Sequence, residues 1–193
     1  MEKQQPAAQK QKKAYSLGQF RVLIVEDYPF MGHLLASMLR EFGVGKVVLA
    51  NNGKEARQMI MMFNSDPYGS RDAIDFVITD WLMPEMSGIE LIDWMRASDK
   101  ETIRFLPSIL CSAYTSEVVV KEGRDHGANE VLVKPVSADK IAKRILYVID
   151  HPRPFIKSPN FFGPDRRRKD ILWKQEERRV LKPEEIKEFH ERI

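Results

Sequence analysis

The sequence predicts an α/β protein built on a doubly wound, five-stranded parallel sheet with helices on both faces. Three observations carry that prediction. Between residues 20 and 150, five short apolar, largely β-branched runs alternate with segments whose apolar residues recur at helical spacing. The runs are apolar throughout rather than alternating, as strands covered on both faces must be. Polar residues stand just beyond the ends of these runs.

Taken in order, residues 1–19 are rich in Gln and Lys with almost nothing to bury, and are predicted to be a disordered basic leader. The run 21–25 is the first strand and ends abruptly in Glu26 and Asp27. Phe30, Leu34, Leu35, Met38, Leu39 and Phe42 then recur at helical spacing, with Gly43 as the stop. A second strand over 46–50 and a helix over 54–63 follow, then a polar loop with Pro67 and Gly69. In the third unit, Phe76, Val77, Ile78 and Thr79 deliver Asp80 where a Met-Pro loop begins. Ser87 is placed to cap the next helix, through Ile89, Ile92 and Met95. The fourth strand covers 108–111, and Ser116 caps a helix ending near Gly127. The fifth covers 131–133, and Ser137 caps a helix whose buried face is Ile141, Ile145, Val148 and Ile149.

The net charge of +3 is unevenly spread. Residues 1–20 carry four Lys against one Glu, and residues 153–193 carry twelve basic against eight acidic side chains. Residues 21–152 carry fifteen against nineteen, so a mildly acidic domain lies between basic flanks. No apolar run approaches the roughly 18 residues that span a bilayer, and the N-terminus lacks a signal-peptide core, so a cytoplasmic protein without membrane insertion is expected. The single cysteine, Cys111, is predicted to be a buried small side chain, and the four histidines fall at no metal-ligand spacing.

Parallel strands all point one way, so the residues past their carboxyl ends share a cleft. Here those residues are Glu26 and Asp27, Asp80, Ser112 and Lys134. Asp80 alone would more readily be read as a solvated loop acid. Three crowded carboxylates repel one another unless a cation is present, and hard oxygen ligands suit Mg2+. A lysine and a hydroxyl opposite such an ion are suited to the oxygens of a phosphoryl group on Asp80.

The acidic pair in VLIVEDYPF, the VITDWLMPEMSG stretch, LCSA and the KP dipeptide of VLVKPVS together resemble the receiver domain of two-component response regulators, of the stand-alone chemotaxis type. The resemblance covers residues 20–150. It implies the flavodoxin-like strand order 2-1-3-4-5, and a domain that catalyses only its own phosphorylation and dephosphorylation. Asp80 would accept a phosphoryl group from a histidine kinase or phosphotransfer protein. Glu26, Asp27, Asp80 and the backbone carbonyl of Leu82 would hold Mg2+. Ser112 and Lys134 would bind the phosphoryl oxygens, and the bond from Lys134 to Pro135 would be cis. The face of the fourth predicted helix, fifth strand and last helix is the family's partner or dimer surface. Here it offers Lys121, Glu122, Arg124, Asp139, Lys140 and Arg144 to a downstream protein or a phosphorylation-linked homodimer, where a merely solvated charged face is the other reading.

Three positions depart from the commonest pattern. Val131 stands where many relatives have an aromatic residue and is expected to pack as a core residue. Leu82 and Tyr114 stand where relatives often carry polar groups that influence the attacking water, so a longer-lived phosphorylated state is expected. Leu82 also argues against an aspartate-nucleophile phosphohydrolase, which would need a second Asp there.

Residues 151–193 are expected to form an extended basic arm, because four prolines interrupt HPRPFIKSPNFFGP. Pro183, Glu184 and Glu185 suggest a helix start, with Ile186, Phe189 and Ile193 as its apolar stripe over 183–193. The arm is too short for the family's usual DNA-binding output domains, so DNA binding is disfavoured. Arg166, Arg167 and Arg168 beside Phe161 and Phe162 admit two readings: a solvated basic arm for protein contacts, or a grip on cyclic di-GMP like that of some chemotaxis-type receivers.

Overall fold

The structure, a computed structural model, describes residues 17–66, 72–114, 117–159, 161–166 and 187–189. Five parallel strands form the main sheet: β1 (Arg21–Val25), β2 (Lys46–Ala50), β3 (Phe76–Asp80), β4 (Ser108–Ser112) and β5 (Glu130–Val133). Their order is β2-β1-β3-β4-β5, the expected one. The helices are α1 (Pro29–Glu41), α2 (Gly53–Phe63), α3 (Gly88–Arg96), the short α4 (Glu101–Arg104), α5 (Glu117–Asp125) and α6 (Ala138–Asp150). Two apolar layers sandwich the sheet. Leu35, Ala36 and Leu39 of α1 and Ile141 and Ile145 of α6 pack on one face, with Ala56 and Ile60 of α2 and Leu91 and Met95 of α3 on the other.

Local chemistry sets the helix ends. Asn52 accepts a hydrogen bond from the Glu55 amide, and Ser87 with Glu90 forms a reciprocal capping box at the start of α3. In α1 the helix is where expected, but only part of its apolar set is buried. Phe30 is 65% exposed, and Leu34 and Phe42 are also exposed, while Leu35, Ala36 and Leu39 are buried. The leader was expected to be disordered through residue 19, but Leu17–Gln19 form a 3-10 turn with Leu17 buried; residues 1–16 lie outside the described residues.

The largest departure follows α6. Instead of an extended arm, β6 (Phe155–Ser158) and β7 (Phe161–Pro164) form an antiparallel hairpin, and β8 (Lys187–Phe189) pairs with the other edge of β6. The expected helix over 183–193 is therefore not formed at 187–189, where backbone pairing with β6 wins over the local helical spacing; the rest of that segment lies outside the described residues. The hairpin is packed. Phe155 is fully buried, with ring centroids 4.9 Å from Phe105 and 5.5 Å from Phe162, and the Arg96 guanidinium lies 5.1 Å from its centroid.

Arg96 is itself buried, a role nothing in its local sequence signals. It donates to the carbonyls of Gly127 (2.9 Å), Arg104 (2.7 Å) and Leu106 (2.9 Å), and to Ser108 and Asn129 side chains (both 3.1 Å). One guanidinium thus ties α3, α4 and the starts of β4 and β5 together beneath the hairpin.

Cys111 is buried as expected, and burial pushes its thiol up to about 12. Because the folded thiol holds its proton more tightly than the unfolded one, this contribution is intact below pH 9 and is lost as pH rises toward 12. Alkylation by iodoacetamide at pH 8 is therefore expected only from unfolded chains. Stoichiometric labelling faster than global unfolding would contradict this.

Candidate functional site

The carboxyl ends of β1, β3, β4 and β5 bring the expected residues together. Parallel register pairs Val25 with Thr79, so the next residues, Glu26 and Asp80, emerge side by side. Asp80 is level with Cys111, and the Lys134 amide donates to the Ser112 carbonyl at 2.7 Å. Ligand atoms of Glu26, Asp27 and Asp80 all lie within 4.8 Å of one another. Glu26 is buried, Asp80 half-buried and Asp27 exposed, so the cluster opens to solvent on one side.

Lys134 holds this cluster together electrostatically. Its Nζ lies 2.8 Å from Glu26 Oε2 and 3.0 Å from Asp80 Oδ1. Burial pushes the Glu26 carboxyl above its ordinary range, with Lys134 pulling against it. At Lys134 burial works to lower the ammonium's pKa, but the bonds to Glu26 and Asp80 outweigh it and the net direction is up. Of the acidic pair, Glu26 is thus directly engaged, more firmly than its place in the sequence suggests.

Asp80 has two different oxygens. Oδ1 accepts from the Trp81 amide at 2.9 Å and from Lys134, whereas Oδ2 accepts no hydrogen bond among the described residues. Ser112 is buried, and its Oγ accepts from the Tyr114 amide at 3.0 Å, which leaves the hydroxyl proton available as a donor. The Lys134 to Pro135 bond is cis. Leu82 lies in the loop after β3 and is 57% exposed; Tyr114 is 56% exposed. Gly88 has a role the sequence did not disclose, because a Cβ there would collide with the Asp80 carbonyl. Its place in the MSG triplet was the available signal.

A cluster of carboxylates with one ammonium and one hydroxyl, at the ends of a 2-1-3-4-5 sheet, is the arrangement the sequence resemblance implied. The sequence profile of the response regulator receiver domain matches residues 22–146. The chain belongs to this family. Among relatives of the receiver, the chemotaxis protein CheY of Pseudomonas aeruginosa is 30% identical over 125 residues, covering 65% of this chain and 92% of that protein. The CheX–CheY–BeF3–Mg complex of Borrelia burgdorferi superposes with a TM-score of 0.58 at 29% identity, over 67% of this chain and 89% of that one. CheY4 of Vibrio cholerae does so with a TM-score of 0.58 at 26% identity, over 67% and 98%.

The receiver's acidic cluster suits Mg2+, since the donors are hard carboxylate oxygens, close together, with room for water on the exposed side. Among the described residues no helix is long and apolar enough to cross a membrane. Of the arginine block, Arg166 pairs with Asp125 of α5 and stands over the Phe161 ring at 4.7 Å; Arg167 and Arg168 lie outside the described residues. The receiver's α5 leaves Val118 71% exposed, beside a groove of about 740 Å³ that Lys121, Arg124 and Arg166 line together with Glu117 and Asp125.

Proposed function

We propose that this receiver accepts a phosphoryl group on Asp80 from a phosphohistidine of a histidine kinase or phosphotransfer protein, and signals through phosphorylation-dependent protein contacts. The observation that carries this is the asymmetry of the Asp80 carboxylate: Lys134 and the Trp81 amide hold Oδ1, which leaves Oδ2 as the nucleophile. Oδ2 forms the new bond to phosphorus as the bond to the donor nitrogen breaks, and the donor imidazole keeps that electron pair. Lys134 and the Ser112 hydroxyl stabilise the charge on the transferring oxygens. Glu26, Asp27, Asp80 and the Leu82 carbonyl are the groups that would hold Mg2+, which when bound neutralises charge on the phosphoryl oxygens.

Incubation with acetyl phosphate and Mg2+ is expected to add one phosphoryl mass to the wild-type chain and none to Asp80→Asn. Phosphorylation of Asp80→Asn to the same extent would refute the assignment. Leu82 and Tyr114, two residues past Asp80 and Ser112 and both exposed, offer bulk that would obstruct the water that hydrolyses the acyl phosphate. Leu82→Asn is expected to shorten the phosphoryl half-life several-fold, by roughly 1 kcal/mol of barrier; a half-life equal to the parent's would count against this.

The exposed side of α5, with Val118 and its rim of mixed charge, is the surface we assign to the downstream partner or to a second copy of the chain. A second reading, cyclic di-GMP held by Arg166, Arg167 and Arg168, is supported by the guanidinium of Arg166 over Phe161 but weakened because Asp125 already engages it. Calorimetry with that dinucleotide, comparing wild type with an Arg167→Ala, Arg168→Ala double variant, separates the two readings.

A further inference from the structure

The loop that leaves Asp80 is fixed at its feet and again at its far side, and the groups on the far side take no part in the phosphoacceptor chemistry. At the feet, the Trp81 amide donates to the Cys111 carbonyl at 2.8 Å, and the Gly88 amide closes back on the Trp81 carbonyl at 3.0 Å. Met83 packs its side chain against the core layer that α2 and α3 form. Leu82 stands between these two anchored residues, so the direction of its carbonyl follows the loop as a whole.

Glu85, further along the loop, has a φ of 64°, the only non-glycine residue in the left-handed region among the described residues. A β-carbon there carries a strain that glycine would avoid. What the glutamate adds is its carboxylate: Oε1 accepts from Asn52 Nδ2 at 3.1 Å, and Oε2 lies 3.5 Å from Lys54 Nζ. The Lys54 and Glu85 side chains are both largely exposed, and such ion pairs add little to stability. A side chain that keeps a strained backbone and returns little stability points to a task of positioning.

The turn that grips Glu85 joins β2 to α2 and is itself stiff. Glu55 Oε2 accepts from the Asn51 amide at 2.8 Å, and Asn52 caps α2 through the Glu55 amide. The Gly53 amide donates to the Met86 carbonyl at 2.9 Å, an approach so close that a methyl on Gly53 would stand 2.6 Å from that oxygen. Just before the turn, the Ala50 carbonyl accepts from the Glu26 amide at 3.0 Å. One stretch of backbone therefore holds both Glu26 and the loop that carries Leu82.

We propose that Glu85, gripped by Asn52 and Lys54, is a positioning residue for the cation site: it sets loop 81–88 against Glu26 and so selects Mg2+ over Ca2+. This rests on the reading of Glu26, Asp27, Asp80 and the Leu82 carbonyl as the Mg2+ ligands. Mg2+ demands a near-ideal octahedron, whereas Ca2+ accepts longer and more variable contacts, so a loosened carbonyl penalises Mg2+ the more.

The test measures Mg2+ and Ca2+ binding to the full chain by calorimetry, with urea unfolding of the same variants in the absence of both ions. Glu85→Gly relieves the strained φ and deletes the carboxylate. It is expected to weaken Mg2+ binding about threefold to fivefold and Ca2+ binding by less than about twofold, with the unfolding midpoint level or raised. Asn52→Ser keeps a helix cap but loses the amide that reaches Glu85, and is expected to shift Mg2+ binding in the same way. The double variant is expected to bind Mg2+ no more weakly than Glu85→Gly alone, because both remove one contact. Equal losses for the two ions, a Mg2+ loss that comes only with a lower midpoint, or unchanged Mg2+ binding in Asn52→Ser each overturn the positioning role while leaving the cation site in place. A wild-type chain that binds no Mg2+ overturns the reading of the cluster itself, and the role of Glu85 with it.

Discussion

Replacing Phe155 with alanine is expected to cost the fold about 3–5 kcal/mol, the range for a fully buried aromatic side chain, a large share of the total stability of a domain this size. The reason lies beneath the ring. Phe155 fills the space between Phe105 and Phe162 and covers the Arg96 guanidinium, which is buried along with it. Its loss leaves a cavity and admits water to the five hydrogen bonds that Arg96 makes to neighbouring segments. Urea unfolding read by far-UV circular dichroism should show a midpoint well below the parent's. A shift of under roughly 1 kcal/mol would mean that the hairpin is an appendage and not part of the receiver's core. The same argument makes a chain ending at Asp150 a poor receiver. It would uncover Phe105 and remove Arg153, whose Nη2 lies 3.6 Å from Glu130 Oε1 at the start of β5.

The candidate site was legible in the sequence because its polar groups stand where burial patterns break. Each strand run ends in a group that cannot belong to an apolar core, and parallel geometry requires those ends to meet. Glu26, Asp27, Asp80, Ser112 and Lys134 all follow from that one rule. The rest was hidden for identifiable reasons. In α1 the apolar residues are too many for spacing to choose a face, so Phe30 and Leu34 stood beside Leu35 and Leu39 in one apolar set, although only the latter two, with Ala36, are buried. In the extension, prolines read as breakers, yet Pro154 precedes β6 and Pro164 ends β7, positions a short strand tolerates. Pairing of β8 with β6 joins residues about thirty apart in the chain, which no local pattern reports. Arg96 looks like any charged residue near a helix end. Only its distant carbonyl partners make it part of the core.

Lys134→Ala is expected to move two properties in opposite directions. The ammonium now neutralises part of the charge of Glu26 and Asp80, at 2.8 and 3.0 Å. Any cation entering the carboxylate cluster must work against that charge, and unit charges at 4 Å interact by about 4 kcal/mol at the effective dielectric of a protein surface. Solvent offsets most of this, so removing the ammonium should tighten Mg2+ binding by roughly tenfold, or about 1.4 kcal/mol. Phosphoryl transfer should suffer instead. Lys134 is the cation placed to follow the transferring oxygens, and loss of one such preorganised donor costs about 100-fold or more in rate. Glu26 without its partner faces the full effect of burial, so its carboxyl should titrate still further above the usual range, and the gain in Mg2+ affinity should shrink as pH falls through that value. Calorimetry with Mg2+ at two pH values and acetyl phosphate kinetics on the same preparation measure both sides. Weaker Mg2+ binding together with slower transfer would show that Lys134 holds the cluster's shape and that its charge is secondary. Tighter Mg2+ binding with slower transfer would show that one ammonium sets the balance between holding a cation and holding a phosphoryl group.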